Sequence, residues 1–109
     1  KYVIVDFSAS WCGPCKEEMP NLSNVYNTFK GEKFDMITVM VWDKLEASKK
    51  MLQEFNVNWK SILNVGMKPM ELYGFKGIPR IMLFAPDGTI VHNELRGDLI
   101  KAKVKEVLE

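Results

Sequence analysis

The sequence has little cysteine or histidine, no long apolar run and almost no net charge. It contains 2 cysteines, 1 histidine, 15 Lys and Arg, and 14 Asp and Glu. Because no basic block occurs, nucleic acid and an anionic membrane surface are poor candidates for the main partner. No apolar stretch approaches the roughly 18 residues that a membrane span needs. No Gly-x-Gly-x-x-Gly segment follows a strand, so a bound nicotinamide or flavin is not expected.

The length of 109 residues and the hydrophobic share of 47% are ordinary for a globular protein with a modest core. We therefore expect residues 1–109 to form a single domain. The chain begins at Lys1 without an initiator Met and leads directly into an apolar run, so we expect it to be a fragment. Its cysteine usage fits a cytosolic and an extracytoplasmic redox motif equally, which leaves the compartment open.

Both cysteines lie two residues apart, between an apolar run over residues 2–8 and a helical pattern that starts at Cys15. A helix N-terminus carries partial positive charge and unpaired N–H groups, which would stabilise a thiolate at Cys12. Cys15 lies one turn further on and can close a small disulfide ring with it. This arrangement favours thiol–disulfide exchange, with Cys12 as the nucleophile and Cys15 as the resolving thiol.

Two structural interpretations of the cysteine pair are less favourable. A disulfide that closes so short a loop removes little entropy from the unfolded chain, so a purely structural disulfide would add little stability. A zinc site would need ligands from His92 and carboxylates, because no second cysteine pair exists. We therefore expect no metal and no bound cofactor beyond the redox-active disulfide.

The apolar periodicity predicts an α/β fold with the order βαβαββα, a mixed central sheet of about four strands and helices on both faces. The predicted strands are 2–8, 34–42, 80–85 and 90–94, the predicted helices are 15–30, 45–55 and one capped by Asp98, residues 69–73 form a short helical turn, and residues 56–66 are left unassigned. Leu45 is predicted to face inward, as is Trp42, and the methionines at 36, 40, 51, 67, 70 and 82 are expected to fill the core.

Several motifs together resemble the thioredoxin superfamily. They are Val5-Asp6-Phe7, Trp11-Cys12-Gly13-Pro14-Cys15-Lys16, Pro20, Gly77-Ile78-Pro79 and Arg96-Gly97. Within that superfamily, Glu17-Glu18-Met19-Pro20-Asn21-Leu22 and Phe84-Ala85-Pro86-Asp87-Gly88 are more similar to the extracytoplasmic TlpA/ResA-like thiol–disulfide oxidoreductases. Ser8 departs from the pattern, since the family often has an aromatic residue there. The strand that usually precedes Val5-Asp6-Phe7 is also absent, in keeping with a fragment that lacks a leader and a strand.

The resemblance implies roles for residues around the cysteines. Asp6, the one acid in its apolar strand, would be buried and would take a proton from Cys15. Pro79 would follow a cis peptide bond and face the cysteines, and Ile78 would pair its backbone with substrate. Gly13 and Pro14 would set a reducing potential. The apolar rim around Cys12 would consist of Trp11, Gly77, Ile78 and Gly97.

The resemblance also implies partners and a location. Disulfide-bearing proteins would be the substrates and an upstream thiol reductant would supply electrons, with the protein acting as a monomer outside the cytoplasm. Two other functions remain open: a thiol peroxidase of the same superfamily, whose threonine–cysteine pattern is missing, and a non-catalytic binding domain. The intact pair of Cys12 and Cys15 argues against the second.

Overall fold

Strands and helices alternate along most of the chain, and the computed structural model describes all of residues 1–109. The elements are β1 (Tyr2–Ser8), α1 (Gly13–Phe29), β2 (Phe34–Val41), α2 (Leu45–Glu54), β3 (Lys60–Val65), α3 (Lys68–Tyr73), β4 (Arg80–Phe84), β5 (Ile90–His92) and α4 (Asp98–Leu108). None of the helices has the length and the apolar character needed to cross a bilayer.

The five strands form one mixed sheet in the order β3-β2-β1-β4-β5. β1 pairs in parallel with β2 and antiparallel with β4, so it lies at the centre of the sheet. Its Ile4 and Phe7 are buried in the cores on opposite faces, as the nearly continuous apolar run predicts. The carboxyl end of this central strand leads directly into the start of α1, and that connection carries both cysteines.

Helices cover both faces of the sheet, as predicted. On one face, Met19 and Leu22 of α1 pack with Ile100 and Val104 of α4 in the larger core. On the other face, Met70 of α3 belongs to a smaller core. The larger core also contains both cysteines, so the first turn of α1 is held against the sheet.

The sheet has five strands rather than the predicted four, because the unassigned segment contains β3. This edge strand pairs in parallel with β2, and its side chains alternate between exposed and half-buried positions without a fully buried residue. Asn64 within it has a left-handed backbone with φ of 59°, and the register shifts near this end. Leu63 and Val65 pack partly against the two cores, but the neighbouring Ile62 is 46% exposed, so the apolar residues of β3 show no regular period in the sequence.

Three predictions about buried side chains and one about a helix cap are wrong. Trp42 is 60% exposed, because it follows the last residue of β2 and its φ of 46° turns the chain away from the strand. Leu45 and Met67 are also exposed, since they lie at the start of α2 and just ahead of α3. Asp98 is the first residue of α4, and Gly97 occupies the cap position.

Candidate active site

The first turn of α1 holds the cysteine pair just beyond the carboxyl end of the central strand β1. Cys12 has an extended backbone and caps the helix, and its Sγ accepts a hydrogen bond of 3.2 Å from the Cys15 backbone N–H. The two sulfur atoms are bonded, with Cα atoms 5.2 Å apart, within the usual range for a disulfide. Gly13 begins the helix and Pro14 follows it in the first turn, where a missing N–H is tolerated. The pair therefore occupies the position where a helix stabilises negative charge on sulfur.

The loop before β4 faces this disulfide. The peptide bond between Ile78 and Pro79 is cis, the isomer that the resemblance implies. The carbonyl oxygen of Ile78 lies 3.6 Å from the Sγ of Cys12. Arg96 donates a hydrogen bond of 2.9 Å from Nη2 to the carbonyl oxygen of Pro79, which ties the loop to the segment before α4. A chain bound along Ile78 would thus lie beside the sulfur of Cys12.

Asp6 lies buried in β1, at the register position that pairs with Thr38 of β2. Burial raises the pKa of Asp6 to about 7, the hydrogen bond from the Thr38 hydroxyl opposes that rise, and the nearby Glu18 carboxylate adds to it. A carboxyl group with a pKa near 7 exchanges protons readily at neutral pH. Asp6 therefore has the burial and the proton affinity expected of a proton acceptor.

Glu18 is a buried acid that the sequence analysis did not single out as functional. Both of its carboxylate oxygens accept the Gly97 backbone N–H at 3.1 Å, and Oε1 also accepts a hydrogen bond from Asn21 at 2.9 Å. The signal was present, because Glu18 stands three residues after Cys15 and four before Leu22, on the apolar face of α1. Gly97 thus joins the site through Glu18.

An exposed aromatic pair, Trp11 and Trp42, lies next to the segment that leads into Cys12. The Trp11 indole Nε1 donates a hydrogen bond of 2.9 Å to the Trp42 carbonyl, and the two rings meet edge to face with centroids 5.7 Å apart. Both side chains are more than half exposed, at 56% and 60%. They line an open groove of about 640 Å³ with Ser10, Asp43, Lys44 and Ala47. Of the residues predicted to form the rim around Cys12, only Trp11 lines this groove, which runs to the start of α2.

Asp43 fixes the loop that leads to the cysteines. Its carboxylate accepts hydrogen bonds of 2.7 Å from the Ser10 N–H, the Ser10 hydroxyl and the Ser48 hydroxyl. Partial burial raises the pKa of Asp43, but these bonds and the N–H of Lys44 outweigh it and hold the pKa below its ordinary value. The charged carboxylate thus connects the segment before Cys12 to the first turn of α2.

The predicted site residues therefore gather at one end of the sheet. Cys12 and Cys15 are bonded, the Ile78 carbonyl lies beside the Cys12 sulfur, Pro79 follows Ile78 through the cis peptide bond, and the exposed Trp11 precedes Cys12 in the chain. Gly77 lies exposed in the loop ahead of the cis peptide bond. No group of three or more His, Cys, Asp or Glu side chains comes together as metal ligands would. The catalytic and binding roles assigned to these residues stay predictions.

Two similar solved structures are named for thiol–disulfide chemistry. The thioredoxin domain of a thiol-disulfide oxidoreductase from Bacteroides vulgatus is 34% identical, with a TM-score of 0.91 over the whole of this chain and 80% of that domain's chain. A thiol:disulfide interchange protein from Bacteroides sp. is 35% identical, with a TM-score of 0.87 over 97% of this chain and 72% of that one.

Sequence relatives agree with the structural ones. The thiol-disulfide oxidoreductase ResA of Bacillus subtilis is 29% identical over 91 residues, which cover 84% of this chain and 51% of the relative. This chain thus spans about half the length of that relative, and 62% of the ResA of Bacillus thuringiensis. These relatives confirm the predicted resemblance. Because the thioredoxin-like family profile matches residues 1–90 and the Bacteroides vulgatus domain is 34% identical, the chain belongs to the thioredoxin-like family.

Proposed function

We propose that this protein catalyses thiol–disulfide exchange with other proteins through Cys12 and Cys15. The observation that carries the proposal is the bonded cysteine pair at the start of α1, with the Ile78 carbonyl 3.6 Å from the Cys12 sulfur. The similarity to thiol-disulfide oxidoreductases of Bacteroides and Bacillus supports the same activity. The disulfide represents the oxidised state of the enzyme, and the reduced dithiol is the state that attacks a substrate disulfide.

The first step forms a mixed disulfide. The Cys12 thiolate attacks one sulfur of the substrate disulfide, a new S–S bond forms, and the other substrate sulfur leaves as a thiolate. The N–H of Cys15, which donates to the Cys12 sulfur, and the other unpaired N–H groups of the first turn stabilise negative charge on Cys12 before the attack. Cys12 is suited to this role because it caps the helix at the end of the central strand.

The second step releases the reduced substrate. Cys15 gives its proton to the Asp6 carboxylate and attacks the Cys12 sulfur, so the substrate's second sulfur leaves as a thiolate. The Cys12–Cys15 disulfide forms as two electrons pass to the substrate. Asp6 suits this role because burial brings its pKa to about 7. An external dithiol, the upstream reductant, reverses both steps on the enzyme and restores the cysteines.

Substrate recognition would take place on the backbone of Ile78 and on the exposed indoles. An extended substrate segment would add to the loop before β4 through the Ile78 backbone, as in strand addition. Trp11 and Trp42 offer apolar contact for side chains that flank the substrate cysteine. Because these contacts use backbone and aromatic surface, we expect broad recognition of disulfide-bearing proteins.

Insulin reduction in the presence of dithiothreitol tests the activity. Wild-type protein should shorten the lag before insulin precipitates, and Cys12→Ser should abolish this effect while leaving the melting temperature and circular dichroism essentially unchanged. Cys15→Ser should instead accumulate a mixed disulfide with insulin, since it attacks but does not resolve. A wild-type protein no faster than Cys12→Ser would overturn the proposal.

We further propose a reducing dithiol that works outside the cytoplasm as a monomer. The Gly13-Pro14 pair between the cysteines supports a potential nearer about −270 mV than about −120 mV. Equilibration with glutathione buffers measures it, and a value above about −180 mV contradicts this part. Fractionation of the source cells tests the location, and recovery with cytosolic markers would contradict it. Gel filtration tests the oligomeric state, and elution as a dimer would contradict a monomer.

A further inference from the structure

A chain of two buried hydrogen bonds leads from an indole to Asp6. Trp59, just ahead of β3, donates from Nε1 to the Thr38 hydroxyl oxygen at 2.8 Å. The Thr38 hydroxyl in turn donates to Oδ2 of Asp6 at 3.1 Å. All three side chains are buried, and Trp59 is the most accessible of them at only 6%. The hydrogen bonds therefore link the segment ahead of β3 to β2, and β2 to the Asp6 carboxylate on β1.

The chemistry of the three groups fixes the direction of this chain. An indole N–H donates and never accepts, whereas a hydroxyl has one proton and two lone pairs. Because the Thr38 oxygen accepts the indole proton, its own proton is left to point at Asp6. The hydroxyl thereby engages Oδ2 and stabilises the ionised carboxylate, so Oδ1 is the oxygen that receives no hydrogen bond from Thr38.

We propose that Thr38 and Trp59 are positioning residues for proton transfer, holding the Asp6 carboxylate ionised and oriented so that Oδ1 receives the Cys15 proton. This inference rests on the proposed function, because the proton moves only when Cys15 attacks the mixed disulfide. The step balances: the Cys15 S–H bond breaks and an O–H bond forms at Asp6, while the Cys12–Cys15 bond forms, the bond between Cys12 and the substrate sulfur breaks, and two electrons leave with the substrate thiolate. Thr38 and Trp59 keep their own protons.

One charged group near Asp6, the Glu18 carboxylate, opposes ionisation of the Asp6 carboxyl. From α1 the carboxylate of Glu18 acts on Asp6, and Cys12 and Cys15 lie in the core on the same helix. At the position paired with Asp6, β4 presents the apolar Ile81. Burial and Glu18 both favour the protonated form of Asp6, and the Thr38 hydroxyl favours the ionised form. Loss of that hydroxyl should therefore raise the pKa of Asp6 further.

Direct titration of Asp6 tests the inference without relying on turnover. The ¹³C shift of the Asp6 carboxyl carbon is followed against pH in the wild type, in Thr38→Val and in Thr38→Ser. We expect the midpoint in Thr38→Val to lie higher by about one pH unit. Thr38→Ser keeps the hydroxyl and should restore the wild-type midpoint. Trp59→Phe should shift it in the same direction by less, because the hydroxyl can then rotate away.

The rate of the resolving step supplies the kinetic readout. The midpoint of its pH profile, measured as decay of a preformed mixed disulfide, should move with the titration midpoint in each variant. Thr28→Val is the matched control, since its hydroxyl bonds to the Asn24 carbonyl at 2.7 Å on the exposed side of α1. It should leave both midpoints unchanged.

The outcomes separate this inference from the proposed function. An unchanged Asp6 midpoint in folded Thr38→Val and Trp59→Phe would overturn the role of the hydrogen-bond chain, whatever the activity. A shifted titration midpoint without a shift in the resolving step would also overturn it. Failure of the wild type in insulin reduction would instead remove the proposed function. If Thr38→Val does not fold, the Trp59→Phe midpoint decides alone.

Discussion

Arg96 donates a hydrogen bond of 2.9 Å from its guanidinium to the carbonyl oxygen of Pro79, the residue that follows the cis peptide bond. The two residues are 17 positions apart, so the segment before α4 fixes the loop that faces Cys12. The next residue, Gly97, holds Glu18 of α1 through its backbone N–H. One short segment therefore connects both parts of the candidate active site.

Replacement of Arg96 by Met should loosen the loop around Pro79. Met keeps an unbranched apolar stem but loses the donor, which should lower the free energy of unfolding by about 1 kcal/mol. A similar loss of positioning should reduce the rate of insulin reduction about fivefold. Urea unfolding and the insulin assay measure the two effects.

Glu94→Gln is the matched control for Arg96→Met. Glu94 forms long ion pairs with Arg96 and Arg80, at 3.9 and 3.7 Å, and all three side chains reach solvent. Its loss should change stability by less than about 0.5 kcal/mol, because exposed pairs contribute little. An equal effect of both variants would show that the ion pair, rather than the bond to Pro79, matters.

Replacement of Gly97 by Ala should strain the backbone at the start of α4. Gly97 has φ of 57° and ψ of −135°, a combination that residues with a Cβ rarely adopt. We expect a loss of about 1–3 kcal/mol in the free energy of unfolding. Gly66→Ala is the control, because Gly66 has no positive φ and open space around it, and it should be close to neutral. Equal losses in the two variants would contradict the strain argument.

Ser8 and Ser48 are both fully buried, but their hydroxyl groups differ. The Ser8 hydroxyl has no hydrogen-bond partner, whereas Ser48 donates to Asp43 at 2.7 Å. Ser8→Ala should therefore raise the free energy of unfolding by about 1 kcal/mol, and Ser48→Ala should lower it by about 1–2 kcal/mol. Urea unfolding of both variants at pH 7 decides, and a loss of stability in Ser8→Ala would mean that its hydroxyl is satisfied.

The sequence predicts the centre of the molecule well, because strong local signals coincide there. The apolar run before Cys12 predicts β1, and Pro14 with the periodic apolar residues after it predicts α1. Asp6 stands out as the single acid in that run, and it is buried as expected. In β1 and in α1, the apolar residues that reveal the element in the sequence are also the ones that pack into the core.

Features that depend on distant pairing could not be predicted. β3 pairs with β2 at the edge of the sheet, and its adjacent Ile62 and Leu63 give the sequence no clean apolar alternation. The partner of Glu18 is a backbone N–H 79 residues away, so its apolar-face position alone does not reveal what satisfies the charge. The contact of Thr38 with Asp6 follows from strand register, which cannot be obtained without knowing that β1 and β2 are neighbours. Trp42 is exposed because a left-handed backbone follows β2, where apolar alternation predicted burial.

Asp6→Asn should change how stability depends on pH. Folding raises the pKa of Asp6 from 3.8 to about 7, so between these pH values the folded protein binds more protons than the unfolded chain. The contribution of Asp6 is therefore fully present below about pH 4, declines as pH rises and is lost above about pH 7. The two pKa values correspond to about 4 kcal/mol at most.

This effect is measured by urea unfolding of the oxidised protein between about pH 4.5 and 8.5. That range lies on both sides of the Asp6 pKa of about 7. Asn carries no proton equilibrium, so Asp6→Asn should gain stability relative to the wild type as pH rises. Asp43, whose pKa is lowered by folding, contributes with the opposite sign in both proteins and cancels in the difference. The same variant should slow the resolving step, because Cys15 then has no carboxylate to receive its proton. A difference in unfolding free energy that stays constant over this range would show that Asp6 has an ordinary pKa, and the proton-transfer role would fall with it.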